Sequence, residues 1–209
     1  MNDTTIIGFL GFISCGKGSS SSFLVSDYGY CPLAFADALK DTVAAVFSWD
    51  RSMVEGESLR SRQWREQIDP WWAKKLDIPH LTPRWALQNF GMLFREHFDK
   101  NIWMMNVEKR LFELPPGTKA VITDARFPNE VGLIRKFGGK VVRVRRGAEP
   151  AWYNDAILAN SGDQNALERM EKVHRIHPSE WAWIGLPVDV VIENNGSLDD
   201  LRANTQELL

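Results

Sequence analysis

The chain is short of cysteine. Its two, Cys15 and Cys31, form no Cys-x-x-Cys or other metal-ligand spacing among 209 residues. That favours two reduced thiols in a cytosolic protein. Net charge is also scarce: 25 Lys and Arg against 27 Asp and Glu leave −2. A near-neutral chain gives no global argument for binding a nucleic-acid polymer or an anionic membrane. The apolar run Ile6 to Ile13 is far too short to span a bilayer. The start, Met1 to Thr5, lacks the basic region and cleavage site of a signal peptide, so a cytoplasmic protein is expected. No internal repeat and no low-complexity linker appears.

The chain does have aromatic mass. Nine tryptophans is a high count, and six of them fall between Trp49 and Trp103. Most belong in a core, because indole buries a large apolar area; one or two can stack on a nucleobase. The length suits one domain of 1–209 with room for an insertion.

Five β-rich runs stand out: Thr5 to Leu10, Cys31 to Phe35, Ala120 to Thr123, Val141 to Val144 and Val188 to Ile192. Several are continuously apolar, which suits strands buried on both faces of a parallel sheet. Helical patterns alternate with them over Lys17–Ser26, Asp37–Phe47, Pro83–Phe98, Asn101–Leu114, Asn129–Phe137 and Leu198–Leu209. The expected fold is α/β: a five-stranded parallel sheet with helices on both faces. Two intervals carry no strand signal. Residues 41–118 read as a helical insertion, and residues 147–187 as a flap or lid with a helix.

The first strand runs into Gly11-Phe-Ile-Ser-Cys-Gly-Lys-Gly-Ser19, and a helix follows. Glycines let backbone N–H groups wrap phosphate oxygens, the helix N-terminus adds partial positive charge, and Lys17 reaches the β- and γ-phosphates. Gly-x4-Gly-Lys in a strand–loop–helix context is a strong signal for a nucleoside triphosphate. Ser14, Cys15, Gly16, Lys17, Gly18 and Ser19 are its expected contacts. The general pattern wants a hydroxyl directly after the lysine; here that place is Gly18, and the hydroxyl comes at Ser19.

Thr82 and Pro83 open a helix, as N-cap and first residue. On it Arg84, Gln88, Gly91 and Arg95 fall on one stripe. Arginine forks match phosphate, and a glycine admits close approach. An ordinary solvated face accounts for the same pattern. Arg60, Arg62 and Arg65 around Trp64 divide evenly between an anion site and a surface paired with Glu57 and Glu66. Asp37 and Lys40 open the helix after the second strand, at the carboxyl edge of the sheet where ligands of such folds bind.

The third strand ends in Thr123-Asp-Ala-Arg-Phe-Pro-Asn-Glu130. Asp124 there can hold Mg²⁺ through water, jointly with Ser19, or contact the substrate. Arg126 can contact a phosphate. Glu130 either binds substrate or favours its helix N-terminus. At the end of the fourth strand Arg143 and Arg145 share one side, in reach of a triphosphate or a transferring group. His177-Pro-Ser-Glu180 ends the flap, and His177 has no metal-ligand cluster around it. Asn194-Asn-Gly196 is a turn signal that also falls near the adenine edge of such a site.

Taken in order, these pieces resemble the bacteriophage-type deoxynucleoside monophosphate kinases. The matching segments are Gly16-Lys-Gly-Ser19, Phe35-Ala-Asp-Ala-Leu-Lys40, Thr82-Pro-Arg-Trp-Ala-Leu-Gln-Asn-Phe-Gly91, Trp103, Thr123–Glu130, His177–Glu180 and Glu193-Asn-Asn-Gly-Ser197. They span nearly the whole chain. The resemblance implies a nucleoside-monophosphate-kinase-like fold and phosphorylation of a deoxynucleoside monophosphate by ATP with Mg²⁺. It implies small-molecule nucleotides as partners and, for a phage-encoded chain, a place in the host cytoplasm. It puts Ala36, Lys40, Arg84, Gly91, Trp103, Asp124, Arg126 and Glu130 around the acceptor, with Trp103 packed on the nucleotide. Met92 stands where some relatives have threonine. Two rivals stay open: another small-molecule kinase, for dephospho-coenzyme A or a nucleoside with Asp37 as base, and a nucleotide-binding module without chemistry. A homodimer is also left open.

Overall fold

The computed structural model describes residues 5–209. The leader reading of Met1 to Thr5 falls mostly outside them. The chain forms two compact units: residues 5–34 with 108–209, and residues 35–107. The second begins earlier and ends earlier than the 41–118 insertion read from sequence.

The first unit holds the sheet. Its strands are β1 (Thr5–Leu10), β2 (Cys31–Leu33), β3 (Lys119–Ile122), β4 (Lys140–Arg145) and β5 (Val190–Glu193), in spatial order β2-β3-β1-β4-β5. All pairs are parallel, as expected. β2 is shorter than its apolar run, and its Pro32, which has no N–H to donate, sits in an edge strand. Between the strands run α1 (Lys17–Tyr28) and α8 (Pro128–Lys136), and α11 (Leu198–Gln206) follows the last.

Alternation along β1 explains why both faces need helices. Ile7 and Phe9 join a core with Leu24 of α1 and Leu201 of α11. On the other face Gly8 lies under α8: a Cβ there would stand 2.2 Å from Ile134 Cδ1. At roughly 25 cal/mol per Å² of apolar surface removed from water, these two layers are the main stabilising term. After β4 comes a strand-free stretch: α9 (Tyr153–Asn160), α10 (Gln164–Glu168), a π-helical turn Arg169–His174 and a 3-10 turn Pro178–Glu180.

The second unit is helical, with α2 (Asp37–Phe47), α3 (Arg51–Glu55), α4 (Leu59–Arg65), α5 (Pro70–Leu76) and α6 (Pro83–His97). α7 (Ile102–Glu113) begins in it and ends in the first unit. Its core gathers Val43, Phe47, Ala73, Leu81 and Ala86, with Trp49, Trp72 and Trp85 packed around them. Most of the early tryptophans are therefore structural. Trp49 stacks on Phe47 at 4.4 Å between ring centroids and donates to Asp69 at 2.8 Å. Thr82 caps α6 by accepting from Trp85 N–H at 3.1 Å, as its sequence position predicts. Among the described residues no helix is long and apolar enough to cross a membrane.

Candidate nucleotide site

The loop from Gly11 to Gly16 joins β1 to α1. Gly16 caps the helix at φ 113°, a left-handed conformation, and a Cβ there would meet Asn194 Nδ2 at 2.4 Å. Glycine is required on both counts. α1 has no side-chain cap and no acidic residue in its first turn. Its first amides and the positive end of its dipole are uncovered, which is the condition for holding an anion.

Lys17 folds back over the loop, donating to the carbonyls of Gly11 and Phe12 at 2.7 Å each. Its Nζ lies 3.7 Å from Cys15 Sγ. Burial pulls the ammonium below its ordinary range; Cys15 and Glu180 work against that, and nearby Arg126 adds to it. Lys17 and Arg126 thus share one electrostatic field with Glu180. Ser14 and Ser19 are exposed, whereas Cys15 is buried beneath the loop. Gly18 is also exposed, and nothing beyond its chain neighbours and its own helix backbone lies within 4 Å of the place its Cβ would take.

Asn194 is tied into the loop from the far end of the chain. It is buried, and its amide donates to the Cys15 carbonyl at 2.8 Å. Its own N–H donates to the Arg145 carbonyl at 2.7 Å. Asn194 therefore braces the loop.

β3 delivers Asp124, half-buried, one residue after Thr123, whose N–H bonds the Leu33 carbonyl at 3.2 Å. Glu130 turns back on this segment, and its Oε2 accepts from Arg126 N–H at 2.7 Å and Phe127 N–H at 3.1 Å. Of the two roles left open for Glu130, the structure supports capping of α8. Arg126 Nη1 pairs with Glu180 Oε1 at 2.7 Å.

The two arginines of β4 are not free cations. The Arg143 guanidinium pairs with Glu149 and donates to Tyr153 OH at 2.8 Å. It lies 5.2 Å from the centroids of both the Tyr153 and Trp183 rings. Arg145, in register with Glu193 across the sheet, pairs with it at 2.7 Å. Carboxylates hold both, one beside two aromatic rings and one on the sheet surface.

Sequence reasoning missed Phe12, a loop position that the motif leaves free. Its ring packs edge-on against Trp183 at 5.0 Å and Trp152 at 5.6 Å, tying the loop to the 147–187 stretch. Each such pair is worth about 0.5–1.5 kcal/mol beyond its buried area.

In the second unit the predicted residues divide. Arg84 and Gln88 are exposed on α6, and Arg84 pairs with Glu66. Met92 is exposed. Ala36 and Asp37 open α2, whose first carbonyl, that of Ala36, accepts from Lys40 N–H at 2.9 Å. Lys40 pairs with Glu55, and Arg51 bridges Glu55, Asp41 and Asp37. Trp103 is buried at 7 % exposure; Nε1 donates to the Gly91 carbonyl at 3.3 Å and the ring lies 5.3 Å from Phe94. A Cβ at Gly91 would meet Leu39 at 3.3 Å. So Gly91 packs closely against Leu39, and Trp103 is part of the helical unit's core.

No protein-family profile matches the chain. A protein of Acanthamoeba polyphaga mimivirus named "Putative deoxynucleotide monophosphate kinase" is 28% identical over 152 residues, covering 68% of this chain and 74% of its own. Among solved structures, TT1252 from Thermus thermophilus is 20% identical over 98% of this chain and 96% of its own, with a TM-score of 0.44. Dephospho-CoA kinase from Campylobacter jejuni is 16% identical over 100% and 96%, with a TM-score of 0.42. Superposition at that level is partial, and the α/β fold with its phosphate loop rests on the topology above. The chain is similar to a small-molecule kinase in sequence.

Proposed function

We propose that the protein transfers the γ-phosphoryl group of ATP to a deoxynucleoside monophosphate, giving the diphosphate and ADP. The observation that carries the reading is the start of α1: an uncapped, acid-free helix N-terminus with Lys17 folded over its loop and an exposed Gly18 beside open space. Glycine in a helix costs about 1 kcal/mol relative to alanine, and no protein contact here demands it. Room for a phosphate does. The mimivirus relative, by its name, supports the acceptor class.

Phosphoryl transfer needs positioning and neutralised charge more than covalent chemistry. Lys17 releases the Gly11 and Phe12 carbonyls and turns to the β- and γ-phosphates. Arg126 takes the acceptor phosphate with Nε and Nη2, which make no hydrogen bond to the protein among the described residues. Within the helical unit Arg84 and Gln88 are proposed as acceptor contacts, phosphate displacing Glu66 from Arg84. Ala36, Asp37, Lys40 and Met92 are proposed to line its nucleoside. No general base is needed, because the attacking phosphate oxygen is already ionised. Closure of residues 147–187 excludes water.

Ser19 and Asp124 would supply a hydroxyl and a carboxylate, hard oxygen donors that suit Mg²⁺. Among the described residues no group of three or more His, Cys, Asp or Glu side chains could hold a metal ion by itself. The ion would neutralise phosphate charge during transfer.

The test is ADP release, coupled to a dehydrogenase signal, over a panel of deoxynucleoside monophosphates, nucleosides and dephospho-coenzyme A. Turnover of one or more monophosphates is expected. Turnover confined to a nucleoside or to dephospho-coenzyme A would reject the acceptor. ATP binding without product from any member would reject the enzyme.

A further inference from the structure

The segment His177-Pro-Ser-Glu180 takes part in none of these steps, yet it has a built support. His177 Nδ1 accepts the Ser179 N–H at 3.2 Å, and the Glu180 N–H donates to the His177 carbonyl at 2.9 Å. Behind it Trp181, 6 % exposed, donates from Nε1 to the Ile176 carbonyl at 3.1 Å. Asn160 Nδ2 bonds the carbonyls of Trp181 and Ile184 at 2.9 and 2.8 Å. The Glu180 carboxylate thus projects from a turn whose backbone is tied at several points.

It faces Arg126. Nη1 donates to Glu180 Oε1 at 2.7 Å and, more weakly, to Ser179 Oγ at 3.4 Å. At its other end the Arg126 N–H is held by Glu130 Oε2. Two glutamates therefore grip Arg126, one through the backbone and one through the guanidinium. The ion pair is only partly exposed, at 38% and 25% for the two side chains. An arginine so held gives up less rotamer freedom when it binds a ligand.

We infer that Glu180 is a positioning residue for phosphoryl transfer: its carboxylate orients the Arg126 guanidinium so that Nε and Nη2 point to the incoming phosphate. The inference rests on the kinase reading, whichever acceptor is used. A glutamate that merely braced the 147–187 stretch would act through stability. One that blocked Arg126 would slow the reaction.

The experiment is a double-mutant cycle on the acceptor that the wild-type protein turns over fastest. Glu180→Gln, nearly isosteric, should lower kcat about 10- to 100-fold while KM for ATP moves less than about threefold. Glu180→Asp should recover part of the loss. In an Arg126→Ala background Glu180→Gln should cost nothing further, because the group it orients is gone. A full additive loss in that background, with a lowered Tm, would make Glu180 a structural brace and overturn the inference. A rise in kcat on Glu180→Gln would overturn it the other way, as release of a blocked arginine. Product from an acceptor other than a monophosphate sinks the acceptor reading alone, and the cycle still decides Glu180. Product from none removes both.

Discussion

The Asn194 amide donates to the Cys15 carbonyl at 2.8 Å across 179 residues of sequence, pinning the phosphate loop to the segment after β5. The same amide fills the space a Cβ would take at Gly16. Loop conformation and sheet edge are one unit. Asn194→Ala should remove a buried hydrogen bond, costing about 1–3 kcal/mol. It should also weaken ATP binding with little change in the acceptor's KM. Thermal melts and ATP titration check both effects.

Lys17→Ala should cut turnover by about two to three orders of magnitude, the scale of losing one preorganised charge at the reacting group. The partners it leaves are two carbonyls of a part-buried loop, not the core, so the circular dichroism spectrum and Tm should stay near wild type.

Gly18→Ala separates stability from function. The new methyl meets nothing beyond its own helix turn, and alanine is the better helix residue, so stability should hold or rise by up to about 1 kcal/mol. ATP affinity should fall, because the methyl enters the space assigned to phosphate. Unchanged affinity in titration calorimetry would remove that assignment.

Trp103→Ala should destabilise the chain by about 3–5 kcal/mol in denaturant unfolding, as for other buried indoles. Trp103→Phe should keep most of the packing and leave the acceptor's KM within about threefold. A tenfold rise with unchanged stability would restore the indole as a nucleotide platform.

Asp155 joins α9 to the π-helical turn through Arg169 at 2.7 Å and His174 at 2.8 Å. The hydrogen bond from Arg169, then that from His174, lowers its carboxyl to about 2. A depressed carboxylate contributes stability that is present above its unfolded pKa, roughly 3.9, and lost as pH falls through the folded value. The Tm gap between wild type and Asp155→Asn should be constant near neutral pH and close as pH drops from about 4 toward 2.

The sequence alone determined the parallel α/β sheet, the phosphate loop and the caps of α6. Each is written in a local pattern: continuous apolar runs, Gly-x4-Gly-Lys between strand and helix, Thr-Pro before a helical period. Tertiary structure decided which polar and aromatic groups are spent on the protein itself. Asn194, Glu130, Arg143, Arg145 and Trp103 have the chemistry of ligand contacts, and each meets a protein group here: Cys15 and Glu193 from distant segments, Gly91 from the preceding helix, and the Arg126 N–H and Glu149 from close by. Residue type and spacing carry no record of such pairing, because a hydrogen bond or ion pair depends on where two distant segments meet. By the same token only the fold brings Glu180 to Arg126 and Phe12 to Trp183.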